Sequence, residues 1–344
     1  MSIELTWEEI QNKAREILKP RCMVCPQCNG RACAGKNPGP GGKGTGLTTM
    51  RNYDWLHEHV KFQMDAMGEP FIADTSIEFV GRQLSLPVMA APIGMVNYSL
   101  SDVLDDRSYS EIILSGMLAA GSLGITGGSA YLEDFKLPLE ALKKCNGNGI
   151  ADIKPWKQDI IEDLIKQVEA AGVPAFLIDI DTAGLPHAGL ANSIVERQSE
   201  GSLRKVAGMT KLKFIVKGIM TPGAAREAAD AGVYAIVVSN HGGRVIDEGL
   251  STAEVLPLIR EAVGNRVRIL VDGGIRTGYD VFKMIALGAD AVLIGRPYMI
   301  AAYGGGAEGV RIYTEKIRQE LIDIMNMTRC RTLEDITRDK IMVV

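Results

Sequence analysis

The sequence has no run of about 18 consecutive apolar residues, so no membrane-spanning helix is expected. It has no basic excess either. Lys and Arg number 38 against 42 Asp and Glu, a formal net charge of −4, which lacks the electrostatic footprint of a nucleic-acid binder. The amino terminus lacks the basic-then-apolar layout of a secretory signal, so a cytoplasmic setting is expected. The six cysteines should then be reduced. No internal repeat of about 20–50 residues stands out. With 46% hydrophobic and 23% charged residues over 344 positions, a disordered chain or a small disulfide scaffold is also excluded.

What is there is an alternation of short apolar runs with helix-like stretches between about residues 85 and 296. The strand candidates lie at 86–92, 121–126, 149–154 and 175–181, then at 212–218, 234–240, 267–274 and 291–297. Each is a continuous apolar run, as expected of parallel strands buried on both faces. Eight such units predict an α/β fold of the (β/α)8 TIM-barrel type. A doubly wound sheet is the alternative, but AAPIGMVNYS after the first strand carries no G-x-G-x-x-G turn.

Residues 1–80 are expected to form a helical and irregular extension, and residues 81–344 the barrel with its closing helices. Leu5, Ile10, Ala14 and Ile17 are available for one face of an amino-terminal helix. The segment 22–46, rich in Cys, Gly and Pro, has no periodicity and predicts an irregular loop. Its stretch 41–46 resembles a phosphate loop only superficially and reads as a flexible lid.

Barrel active sites sit at the carboxyl ends of the strands. There the sequence places Asp179 and Asp181, Lys217, and the run Ser239-Asn240-His241-Gly242-Gly243-Arg244. The last two strands end in Asp272-Gly273-Gly274-Ile275-Arg276 and Gly295-Arg296. Glycine turns expose backbone N–H groups and the arginines add charge, so phosphate binding is expected after these strands. A lysine closing an apolar run faces an anion, in chemistry or in a salt bridge to Asp179 or Asp181. His241 suits a base near neutral pH, and Arg244 suits a carboxylate anchor. Asn97 and Tyr98 are further candidates to line the pocket.

VVSNHGGR followed by LVDGGIRTGYDVFKMIALGADAVLIGRP resembles the FMN-dependent α-hydroxy acid oxidase and dehydrogenase family, over roughly residues 74–335. The resemblance implies FMN above the barrel and a homo-oligomer, a tetramer or octamer. Pro92, Ile93, Gly94 and Ser239 would lie near the flavin, and Lys217 beside its N1/O2 edge. Asp272 through Arg276, with Gly295 and Arg296, would hold ribityl and phosphate. His241 would be the base, supported by Asp181, and Arg244 the anchor of a small anionic substrate.

The chain also departs from the family pattern. No tyrosine can be assigned in the amino-terminal segment. After the third strand stand Lys154 and Trp156 where the family has Gln-x-Tyr. Asp179 replaces a threonine, Asp181 matches the aspartate, and no arginine follows before Arg197. Lys154 and Asp179 therefore become candidates on the flavin side. Losing one charged partner forfeits about 1.5–3 kcal/mol of binding.

Cys22, Cys25, Cys28 and Cys33 put four thiols within twelve residues. That count suits zinc or a 4Fe–4S cluster, and a loop of free thiols is the plainer alternative. Cys145 and Cys330 read as ordinary small apolar residues on helices. The expected activity is FMN-dependent dehydrogenation of a 2-hydroxy acid or related CH–OH substrate. The alternatives are non-redox flavin chemistry, as in type 2 isopentenyl diphosphate isomerase, and a flavin or metal electron-transfer module.

Overall fold

The computed structural model describes residues 5–129, 131–185 and 195–344. Seven parallel strands form one curled sheet: β4 (Val88–Ala90), β5 (Ile150–Ile153), β6 (Ala175–Asp179), β7 (Lys213–Ile219), β8 (Ala235–Val238), β9 (Arg268–Val271) and β10 (Ala291–Ile294). Their order is β4-β10-β9-β8-β7-β6-β5. The expected strand at 121–126 is present as two parallel bridges, Ala90 to Gly124 and Ile125 to Ile150. It lies between the two edges of the sheet and closes the barrel. Glycine at 124 lets this segment pack against the helix that follows β4, since a Cβ there would stand 2.9 Å from the Ile113 side chain.

Helices α4 (Asp106–Ala119), α5 (Lys136–Lys144), α6 (Gln158–Ala170), α7 (Glu200–Gly208), α8 (Pro222–Asp230), α9 (Thr252–Val263), α10 (Gly278–Ala286) and α11 (Arg296–Met327) follow the strands. The hairpin of β2 (Ile77–Phe79) and β3 (Arg82–Leu84) plugs the amino-terminal end of the barrel. Phe79, Val80 and Leu84 share a buried cluster there with Met89, Leu177 and Leu270. The carboxyl end is left as the open mouth.

The amino-terminal extension packs into the barrel. Helix α1 (Trp7–Leu18) starts with a Thr6–Glu9 capping box and buries Ile10, Ala14 and Leu18. That is a correction to the expected face, because the four-residue spacing selects Leu18 and leaves Ile17 and Leu5 half-buried. Trp7 stacks on Tyr313 of α11 at 4.7 Å. Strand β1 (Val60–Phe62) pairs with β11 (Ile341–Val343), tying the extension to the carboxyl tail.

Helix α2 (Leu47–Glu58) positions the site. Its buried Asn52 exchanges amide hydrogen bonds with Asn240 after β8, at 2.8 and 2.9 Å. The same Asn52 oxygen accepts from the Thr252 N–H at 3.2 Å. Gly274 must be glycine here, with φ +80 and a Cβ position only 2.1 Å from the Asn52 carbonyl oxygen. Asn52→Ala removes both amide bonds, leaves Asn240 only its bonds to Leu250 and Gly243, and should lower unfolding stability by about 1–3 kcal/mol. Urea unfolding of the FMN-free chain checks this, and a loss under about 0.5 kcal/mol would remove the pair as an anchor.

Candidate active site

The floor of the barrel mouth is a set of buried charges. Lys154 donates to Asp152 at 2.9 Å and to Asp179 at 2.6 Å, and all three are nearly inaccessible. Burial pushes the Asp152 carboxyl up to about 6, and Asp179 beside it adds to the shift. Lys154 stays charged because the two carboxylates outweigh its burial. One oxygen each of Asp152, Asp179 and Asp272 is buried without a partner among the described residues. Such atoms call for a donor from a bound group.

Next to this triplet stands His241, whose Nδ1 lies 3.1 Å from Asp181 Oδ1 and 3.1 Å from Lys217 Nζ. With Asp181 accepting a hydrogen bond from Nδ1–H, the Nε2 lone pair is the basic site. Burial alone would raise the Asp181 carboxyl, but Lys217 and His241 hold it well below the usual carboxylate range. Lys217 is held charged, its burial outweighed by Asp181, Asp272 and Asp179. The salt bridge to Asp179 is made by Lys154, while Lys217 stands beside the histidine with its charge offset by Asp181, Asp272 and Asp179.

The His241 turn has three successive left-handed residues, with φ of 56, 63 and 81 at His241, Gly242 and Gly243. For a histidine that conformation is strained and must be held from outside. Thr49 Oγ1 donates to the Gly242 carbonyl at 2.7 Å, and Lys43 N–H donates to the Gly243 carbonyl at 2.9 Å. Lys43 also bonds the Gly184 and Val245 carbonyls, and Asp247 accepts from Thr45 and Leu47. The stretch 41–46 is therefore a brace rather than the expected flexible lid.

On the other side of the cleft, Arg276 and Arg296 each bury a guanidinium nitrogen with no partner, Nη2 and Nη1 respectively. Burial pulls the Arg296 guanidinium below its ordinary value, and Arg276 beside it pulls further. Two buried cations with idle donors make a site for a multiply charged anion. Gly295 completes it: a Cβ there would meet nothing closer than 3.9 Å, so its absence keeps open space that a ligand can fill. Arg244 lines the same cleft, and its guanidinium has no hydrogen-bond or ion-pair partner among the described residues. Burial, with Arg296 nearby, brings it down to about 10.

The cleft brings together most of the expected residues. Pro92, Ile93, Gly94, Lys154, Lys217 and Asp272 line it, as do Gly273, Gly274, Ile275 and Arg276 with Gly295, Arg296, His241 and Arg244. Three expected residues sit behind it. Ser239 donates to Asp272 at 2.8 Å and accepts from the His241 N–H at 3.0 Å, so it supports the turn. Asp179 and Asp181 act through Lys154 and His241. Asn97 and Tyr98 border a separate cleft with Asp105 and Tyr131, because α3 (Val96–Ser99) turns them outward.

Sequence reasoning missed Asp152, whose signal was a carboxylate inside an apolar strand. It also missed Asp106, which accepts from the Met95 and Val96 N–H groups at 2.9 Å and fixes the loop after β4. The stretch 186–194, where the family's second arginine would follow, lies outside the described residues. Among the described residues, only Asp179, Asp181 and His241 offer three metal-ligand atoms within 4.8 Å of one another. Lys154 and Lys217 already supply cations there. Cys22, Cys25, Cys28 and Cys33 form no such group.

The description "FMN-dependent dehydrogenase" matches residues 40–193 and 186–343 of this chain. The chain belongs to that family. A peroxisomal (S)-2-hydroxyacid oxidase of Arabidopsis thaliana is 30% identical over 303 residues, covering 78% of this chain and 81% of the relative. An L-lactate oxidase of Lactobacillus jensenii is 30% identical over 322 residues, covering 84% and 76%. A crystal structure of mandelate oxidase with (S)-2-phenylpropionate superposes with a TM-score of 0.77 at 28% identity, covering 97% of each chain.

The chain is thus an FMN-dependent oxidoreductase acting on CH–OH substrates. The cleft fits that cofactor. Its idle guanidinium nitrogens suit the phosphate, and the unpartnered carboxylate oxygens beside Lys154 suit a ring edge that donates an N–H. Among the described residues no helix is long and apolar enough to cross a membrane. Arg296→Ala should weaken FMN retention by about 10- to 100-fold, the loss of a charged hydrogen bond. Flavin content after dialysis measures this, and unchanged content would remove Arg296 from the phosphate site.

Proposed function

We propose that this chain oxidises a small 2-hydroxy acid at its α-carbon, with His241 as base and Arg244 as carboxylate anchor. The observation that carries the reading is the His241–Asp181 pair facing the same cleft as an unpaired arginine and the two phosphate-side guanidiniums. FMN, when bound, takes up the two electrons released at the α-carbon. Everything else falls to the side chains.

Arg244 binds the substrate carboxylate and turns the hydroxyl-bearing carbon toward His241. His241 Nε2 takes a proton as the C–OH group becomes a carbonyl, and Asp181 at Nδ1 stabilises the imidazolium that results. The low proton affinity of Asp181 keeps that countercharge in place. Lys217 fixes positive charge on the cleft floor, where it favours negative charge developing above it. Pro40, Met95, Leu185 and Met299 supply apolar wall that limits water.

The family's grip by two arginines is supported here by one only, since Lys154 is neutralised by Asp152 and Asp179. A substrate with a single carboxylate and an apolar remainder suits that arrangement. The retained His241–Asp181 pair supports dehydrogenation over the isomerase alternative. A cytosolic setting and a homo-oligomer accompany this reading; sedimentation of the purified protein tests the latter, a monomer ruling it out.

Anaerobic addition of a panel of 2-hydroxy acids should bleach the flavin absorbance with at least one of them. His241→Ala should retain FMN and lose that reduction, and normal bleaching in the variant would rule out His241 as base. Arg244→Ala should raise KM by about 10- to 100-fold. An unchanged KM would place the carboxylate elsewhere.

A further inference from the structure

The family match begins at residue 40. The four cysteines between positions 22 and 33 precede it and have no part in the chemistry above. None of them is in a disulfide. They nonetheless share one neighbourhood. Cys22 lies within electrostatic reach of Cys25, Cys28 and Cys33, and Cys33 within reach of Cys25 and Cys28.

Their spacing discriminates between metal centres. A single zinc ion with Zn–S bonds of about 2.3 Å holds its thiolates about 3.8 Å apart. No three of these sulfurs lie within 4.8 Å of one another. A cubane cluster carries its thiolates on separate iron corners and so holds them farther apart. The wider arrangement suits the cluster.

The backbone supplies an independent observation. Val24, between the first two cysteines, is β-branched, buried and left-handed at φ 45. That conformation is rare for such a residue and persists only where its surroundings impose it. Arg15 of α1 imposes it, donating to the Met23 carbonyl at 3.3 Å and to the Val24 carbonyl at 3.0 Å. The turn that results aims the Val24 N–H at the Cys22 sulfur, 3.5 Å away. An N–H directed at a cysteine sulfur is among the contacts that tune a ligated cluster.

Charge also fits. Arg276 and Arg296 flank Cys28, and Arg296 flanks Cys33. Arg276 Nε is bonded to the Cys28 carbonyl oxygen at 2.9 Å, while its Nη2 is left for the phosphate. A cluster bound by four thiolates is anionic, and buried guanidiniums nearby lower the cost of holding it.

We propose that Cys22, Cys25, Cys28 and Cys33 ligate a 4Fe–4S cluster in the loop bonded to the phosphate-side Arg276. Four iron–thiolate bonds form, four thiol protons pass to solvent, and the medium supplies the sulfide with two ferrous and two ferric ions, so the electrons balance. The site stands apart from the substrate reading and does not depend on it.

Protein purified anaerobically and reconstituted with ferrous and ferric iron and sulfide should hold about four irons and four acid-labile sulfides per chain. Broad absorbance should remain after the flavin bands are subtracted. Cys25→Ser should lose iron and sulfide with FMN content unchanged, while Cys145→Ser keeps both. Thiol alkylation offers a readout that needs no variant: the four cysteines should be protected in the loaded protein and labelled after chelation. Zinc without sulfide, no metal after reconstitution, full sulfide in Cys25→Ser, or equal labelling before and after chelation would each overturn the proposal.

Discussion

The barrel mouth depends on the pairing of buried carboxylates with buried lysines. Asp152, Asp179 and Asp272 lie almost wholly out of water at the ends of three different strands, with Asp181 close by. Four carboxylates so close cannot stay ionised on their own. Lys154 and Lys217 make the cluster tenable, and each lysine would be as costly alone. Breaking such a pair by removing one member costs about 3–5 kcal/mol, because the partner is left buried and unpaired. This cluster therefore fixes where strands β5 to β9 end relative to one another. It also fixes the direction in which His241 presents its free nitrogen.

That arrangement separates what the chain shares with its family from what it has changed. The His241–Asp181 pair, Lys217, Arg244 and the two glycine turns all face one cleft. The opposite side of the floor is rebuilt as the ion triplet Asp152–Lys154–Asp179. Lys154 cannot serve as a second carboxylate anchor while two aspartates hold it. Where the resemblance implies a neutral hydrogen-bonding surface, this chain has a charged one whose lysine is held by its own aspartates.

Much of this was legible in the sequence. A parallel strand buried on both faces must be a continuous apolar run, so a polar residue at its end is conspicuous. Lys217 and Asp181 were found that way. Residues whose partners lie far off in sequence were not. Asn52 meets Asn240 across 188 positions, and nothing in the pattern of α2 marks it. The stretch 41–46 looked mobile for the same reason, since its glycines were visible but the Gly243 carbonyl and Asp247 that hold it were not. Ser239 and Asp179 show a different limit, because strand-end position does not say which way a side chain turns. The run at 121–126 shows another: it pairs on both sides as expected, but through single bridges rather than a ladder.

The brace at 41–46 also explains why the extension cannot be treated as an appendage. The strained His241 turn needs donors for its outward carbonyls, and among the described residues the extension provides them. Thr49 and Lys43 do, from a segment more than 190 residues earlier. Asn37 extends the same contact by donating to the Arg244 carbonyl at 3.1 Å. His241 and Arg244 are therefore both held in place by the segment that follows the cysteines. Any change in the shape of the cysteine loop bears on Asn37 and Lys43 before it reaches the substrate side chains, so the extension is coupled to the His241 turn through hydrogen bonds that end on the turn's own carbonyls.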